Sequence, residues 1–150
     1  MCGGVAFNFR NIPEEKMQKY FSKEELEAFK KVGQAQSYYW SKTPVLPYEK
    51  DGKIDLVDWG NRSDDDKLPK TGWAKTESID EGKWAYLKPE FVKIPVDKGY
   101  EKGKWFKVSE NGFKGALIEK NNKKHLYMVT KLANKKYLED YKHDRQPVEL

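Results

Sequence analysis

The amino-acid sequence predicts an α+β fold: a curled, mostly antiparallel β-sheet with a barrel-like core, carrying two or three helices. Three observations lead there. Short apolar runs recur along the chain, several of them bounded by Gly, Pro, Asn or Asp. Two stretches instead repeat their apolar residues at the helical period. No internal repeat, low-complexity tract or interdomain linker interrupts the 150 residues, and a single domain over residues 1–150 is the expectation for that length. A chain of that length buries about 68–70% of the surface exposed when unfolded and holds a sizeable core without staples.

The elements follow in order. Residues 4–9, Gly-Val-Ala-Phe-Asn-Phe, read as a strand. Ser22 and Glu25 form a capping box, Leu26, Phe29 and Val32 give one apolar face, and Gly33 stops that helix. Residues 38–48 are aromatic and punctuated by Pro44 and Pro47, which suits an extended segment or edge strand because proline cannot donate to a ladder. Asp51-Gly52 is a hairpin signal leading into a strand with Ile54, Leu56 and Val57. Residues 61–72 are polar and turn-rich, a surface loop. Residues 90–96 form a short apolar stretch. Residues 104–108 and 113–119 flank Ser109-Glu110-Asn111-Gly112, a second hairpin signal. Residues 125–130 read as a strand, with His125 at a turn or strand edge. Residues 131–142 read as a helix from the spacing of Ala133, Tyr137 and Tyr141, and residues 147–150 as a last short strand.

Composition narrows the function classes. There is one cysteine, so no internal disulfide, which suits a reducing compartment. No segment reads as a signal peptide and no apolar run approaches the length of a membrane span, so a cytoplasmic, membrane-free monomer is expected. The net charge of +5 favours an anionic partner such as nucleic acid. The cations are nearly all Lys, so Arg10, Arg62 and Arg145 carry more information, since the planar guanidinium fork fits phosphate better. Several of the abundant aromatic residues are candidates for stacking on single-stranded bases.

The lone cysteine is Cys2. A lone cysteine is commonly a small buried hydrophobe. If Met1 is removed, however, Cys2 presents an amine and a thiol on neighbouring carbons, a pair able to do chemistry that neither does alone. Other motifs accompany it. The chain starts Met1-Cys2-Gly3-Gly4 and finishes His143-Asp144-Arg145-Gln146-Pro147-Val148-Glu149-Leu150. Between lie Trp59-Gly60-Asn61, the run from Trp73 to Ser78, and the run from Pro95 to Lys102. Thr130 and Ala133-Asn134 mark a strand-to-helix step. In this order the motifs resemble the SRAP family, the SOS response-associated peptidases. Those chains begin Met-Cys-Gly-Arg and carry Trp-Gly-Leu, Asn-Ala-Arg-Ser-Glu-Thr, a Pro-to-Glu motif and His-x-Arg-Met-Pro-Val-hydrophobic-Leu. This chain departs at Gly4, Gln146 and Glu149, and Trp73 stands where the family has Asn.

The resemblance implies a DNA-damage role. Its active site, of Cys, Asn, Glu and His, carries over as Cys2, Glu101 and His143. The Asn does not carry over; Asn61 or Asn8 would have to substitute for it. The implied reaction is a covalent thiazolidine crosslink between Cys2 and an abasic site in single-stranded DNA, with an associated self-cleaving peptidase activity that exposes Cys2, and with no metal or cofactor. Glu101 and His143 would move protons. Arg62 and Arg145 are the phosphate candidates, and Trp59 and Trp73 the stacking candidates. Each residue has a plainer reading: an exposed charge pair for Glu101, a helix-dipole partner for His143, core for both Trp. Two rival functions are a binding module of the same fold that has lost the reaction, and an N-terminal-cysteine hydrolase acting on other peptide bonds.

Overall fold

The computed structural model describes residues 2–64 and 67–150. Strand β1 (Gly4–Phe7) is followed by helices α1 (Glu14–Tyr20) and α2 (Lys23–Val32). Strands β2 (Ala35–Tyr38), β3 (Val45–Lys50), β4 (Lys53–Trp59) and β5 (Trp73–Lys75) come next, then the short helix α3 (Thr76–Asp80). Strands β6 (Glu90–Ile94), β7 (Lys98–Glu101), β8 (Lys104–Lys107), β9 (Phe113–Lys120) and β10 (Lys123–Leu132) precede helix α4 (Lys135–Tyr141) and strand β11 (Arg145–Pro147). The α+β class is as the sequence predicts, with four α-helices among the described residues where two or three were expected. The additional short helices, α1 and α3, carry only one buried residue between them, Met17, and so give little apolar periodicity to read.

The sheet closes on itself. Antiparallel pairing runs β4–β3–β6–β9–β10, and β10 returns to β4 in parallel, making a five-stranded barrel. Strands β5 and β11 add to the far half of β10. A second, four-stranded antiparallel sheet has the order β2-β1-β7-β8. Leu46, Trp59, Ile94, Phe113 and Leu126 are among the buried residues that fill the space between the layers.

Local signals explain most elements. The Ser22–Glu25 capping box is formed from both sides, and Gly33 ends α2 in the left-handed region at φ 87°. Asp51 and Gly52 both have positive φ, as a two-residue hairpin turn requires, and join β3 to β4. Other expectations need correction. Pro47 lies inside the barrel, not on an edge; β3 pairs with β6 in register only at Glu49, so the missing N–H is tolerated. Residues 109–112 make a turn, with the Gly112 N–H on Ser109 O, but no hairpin, because β8 belongs to the small sheet and β9 to the barrel. The hairpins instead turn at Lys102-Gly103 and Asn121-Asn122, all four residues at positive φ. Helix α4 starts after its N-cap Asn134, leaving Ala133 outside, and the last strand is 145–147. His125 is no edge residue: it is buried on β10, its ring Nδ1 2.8 Å from Gly60 O. The 61–72 loop buries Asn61 and Leu68; Asp65 and Asp66 lie outside the described residues. Among those residues, no helix is long and apolar enough to cross a membrane.

Candidate active site around Cys2

Backbone pairing places Cys2. Gly4 is opposite Tyr100 in the β1–β7 ladder, and the Gly3 N–H donates to Tyr100 O at 2.9 Å. On the other side the Tyr39 N–H donates to Gly3 O at 3.0 Å. Cys2 therefore enters the small sheet beside the end of β7, where Glu101 sits. Trp73, at the start of β5, donates its indole N–H to Cys2 O at 3.0 Å. The thiol donates to Gly4 O at 3.1 Å and is fully buried. Burial pushes it up to about 12, and the Glu101 carboxylate adds to the rise, against backbone hydrogen bonds at Tyr100 and Gly4 that lower it.

Glu101 is buried, at 2% exposure. That removes the reading of an exposed charge pair, since a buried carboxylate needs a reason to be there. Tyr137 of α4 donates its hydroxyl to Glu101 Oε2 at 3.4 Å. Burial first, then the charges of Glu101 and Cys2, hold the Tyr137 phenol well above its ordinary range. Cys2, Glu101 and Tyr137 thus form one electrostatically connected group, drawn from the residues before β1, from β7 and from α4. His143 lies just past α4. Lys102 donates to Lys142 O at 2.7 Å and Lys104 to Asp140 O at 3.1 Å, tying the β7–β8 turn to this corner. His143 Nδ1 accepts the Arg145 N–H at 3.1 Å and is 3.6 Å from Asp144 Oδ1. With Nδ1 accepting, the neutral ring carries its proton on Nε2.

The predicted DNA contacts divide. Arg62 is exposed, rides over the Tyr39 ring at 5.6 Å and donates to Tyr39 O at 3.2 Å and to Ser41 O. Arg145 is not a surface residue. It is buried, with Glu77 at 2.6 and 3.4 Å and Thr130 O and Oγ1 at 3.0 and 3.2 Å, and this guanidinium holds the Glu77 carboxyl below its usual range. Its place on β11 turns it toward α3 and β10 rather than toward solvent. Trp59 is likewise core: it is 1% exposed and its indole N–H meets Gly72 O at 3.0 Å. Trp73 is half-buried between Tyr39 and Trp59 and holds the Cys2 carbonyl, so it is a wall of the site rather than an open platform. Neither substitute for the family Asn is poised at Cys2. Asn61 spends its amide on Ser63 and Leu68 in its own loop, and Asn8 accepts from the Arg10 N–H.

Sequence reasoning missed Tyr137 and a second aromatic group. Trp40, 61% exposed, stacks on Tyr38 at 4.7 Å, with Tyr100 and Trp105 packed around them. The 102–103 turn puts Tyr100 opposite Trp105, so recognising that hairpin would have paired them. These rings also account for Gly4: a Cβ there would lie 2.7 Å from a Tyr38 ring carbon and 3.0 Å from Tyr100 Cβ. A side chain at the family's Arg position therefore has no room here.

No protein-family profile and no curated protein matches the chain. A crystal structure of a protein from Bacteroides thetaiotaomicron, solved in a structural genomics programme, is similar in fold, with a TM-score of 0.61 and 16% identity over 99% of this chain and 77% of that one. At that identity the likeness speaks for the fold alone. No group of three or more His, Cys, Asp or Glu able to hold a metal occurs among the described residues.

Proposed function

We propose that this chain is an SRAP-type protein that captures abasic sites in single-stranded DNA through Cys2 after loss of Met1. The observation that carries the reading is the buried Glu101 beside Cys2: two residues far apart in sequence, matched separately to the family's nucleophile and acid–base positions, interact in the fold. A sheet end that buries a carboxylate against a thiol and a phenol suits proton transfer better than packing.

The chemistry balances without a further reactant. The freed Cys2 amine adds to the aldehyde of a ring-opened abasic sugar, giving a carbinolamine. Loss of water gives the imine. The thiol sulfur then bonds to the imine carbon, its proton passing to the nitrogen, and closes a five-membered thiazolidine. One C–N and one C–S bond form, and one water leaves. Both nucleophiles sit on one residue, so closure is intramolecular and gains a large effective molarity. Glu101 takes the proton released when the amine adds and returns it to the departing hydroxyl. Tyr137 holds Glu101, Trp73 holds the Cys2 carbonyl, and His143 donates from Nε2 to the sugar oxygen. The same nucleophile and acid–base groups suit the self-cleavage that exposes Cys2. For DNA binding, Arg62 is the phosphate candidate and the Tyr38–Trp40–Tyr100–Trp105 group the stacking surface, one residue from the nucleophile.

A second reading, a DNA-binding module without the reaction, draws support from the buried thiol and from Trp73 in place of Asn. Crosslinking to a single strand carrying one abasic site separates them on a denaturing gel. The first reading expects a covalent band from protein lacking Met1, none when Met1 removal is blocked, and formation about 10²–10⁴-fold slower in Glu101→Gln. Binding with no covalent band from the processed protein favours the second.

A further inference from the structure

A surface cavity of about 380 Å³ opens between the end of β4, the segment after Trp40 and the 61–63 loop, and it takes no part in the chemistry assigned to Cys2. His125 is 3% exposed and lines it. Gly60 O can only accept, so the 2.8 Å contact fixes the proton on His125 Nδ1 and leaves a lone pair on Nε2. That nitrogen has no hydrogen bond from the described residues. Asp58 is opposite His125 in the parallel β4–β10 pairing and also lines the cavity, but its carboxylate is held by Lys123 at 2.9 Å. Among the described residues, the deep end of the cavity thus keeps an unspent acceptor in His125 Nε2. Its mouth has the opposite character: Lys42 and Arg62 are exposed cations.

This polarity specifies a ligand. Its buried end must donate a hydrogen bond, as the N–H of a base does, its outer end is anionic, and a flat part between lies beside the Tyr20 ring. We propose that the cavity holds one nucleotide unit, with the base inward against His125 Nε2 and the phosphate outward against Lys42 and Arg62. The volume falls in the range of small-ligand pockets, roughly 300–1,000 Å³. The unit can come from a free nucleotide or from a strand; both present the same chemistry. The proposal goes beyond the crosslinking reading and uses neither Cys2 nor Glu101.

The test uses Cys2→Ser protein, in which no thiazolidine can form. The chain has two histidines, so the nitrogen NMR spectrum of the imidazoles reports His125 cleanly. Deoxycytidine monophosphate, deoxyribose 5-phosphate, inorganic phosphate and an intact single-stranded oligonucleotide are titrated separately. The proposal expects the mononucleotide, the oligonucleotide or both to shift His125 Nε2 out of the lone-pair region, and the two base-free phosphates to leave it unmoved. A response to the oligonucleotide alone identifies a strand as the source, and one to the mononucleotide alone a free nucleotide. His125→Phe should weaken binding about tenfold, the worth of one hydrogen bond. Lys42→Ala, a surface change that does not threaten folding, should weaken binding and flatten its salt dependence. Base-free phosphates binding as tightly as the nucleotide, or no ligand moving His125, overturns the proposal.

Discussion

In the folded chain that retains Met1, Cys2 should alkylate very slowly, and the structure sets how slowly. Burial moves the thiol from 9.0 to about 12. At pH 8 a thiol at 12 is ionised to about one part in 10⁴, against about one in ten at 9.0, so ionisation alone slows reaction about 10³-fold. Zero exposure of the side chain adds to this. Iodoacetamide labelling followed by intact mass, from pH 7 to 11, measures the rate in the folded protein and in urea, and a single cysteine leaves no competing signal. Glu101→Gln should raise the folded rate, but by less than unfolding does, since burial is the larger cause. The reasoning is refuted if folded and unfolded chains label within tenfold of each other at pH 8, or if Glu101→Gln slows labelling. The result bears on the proposed reaction: a thiol this hard to ionise would act second there, on an imine already formed by the amine.

Other outcomes follow from the same contacts. Stability should fall in alkali: the Cys2 thiol and the Tyr137 phenol are raised in the fold, so their contribution is complete below the unfolded values and is lost as pH climbs from about 9 toward 12. A Tm unchanged between pH 8 and 11 contradicts this, and Tyr137→Phe should reduce the slope. Trp40→Ala should cost about 1–3 kcal/mol of affinity for intact single-stranded DNA while leaving Tm nearly unchanged; equal affinity by fluorescence anisotropy removes Trp40 from the DNA surface. Arg145→Ala should lower Tm and leave the salt slope of DNA binding as it was, because its guanidinium is committed to Glu77 and Thr130; a shallower slope would return Arg145 to the phosphate contacts.

Local chemistry made parts of this fold legible in the sequence. The capping box at Ser22, the stop at Gly33 and the Asp51-Gly52 turn depend on nearest neighbours, and each forms as read. Strand partners depend on the whole chain. Nothing local to residues 109–112 says that the strands on either side belong to different sheets, and nothing around Pro47 says that β6 pairs with β3 at a single residue. The candidate site divides the same way. The position of Cys2 is legible in the sequence and Glu101 follows from the SRAP resemblance, but only the fold brings Glu101 toward Cys2 and Tyr137 onto Glu101. The arginines and tryptophans are candidates in the sequence for what their side chains can do. The fold decides which of them reach solvent, and it spends Arg145 and Trp59 on the interior. Trp40 lay in a segment read only as extended backbone, yet its exposure and stack on Tyr38 make it the more accessible ring.

The central claim is that Cys2 reacts through both its amine and its thiol. Intact-mass measurement of protein lacking Met1, incubated with a single strand bearing one abasic site, tests it most directly. The account predicts a heat-stable species at the summed masses less one water, and for Cys2→Ser only an imine that borohydride must trap. A folded, processed protein that gives no adduct, or a serine variant whose adduct survives heating as the wild type's does, contradicts it.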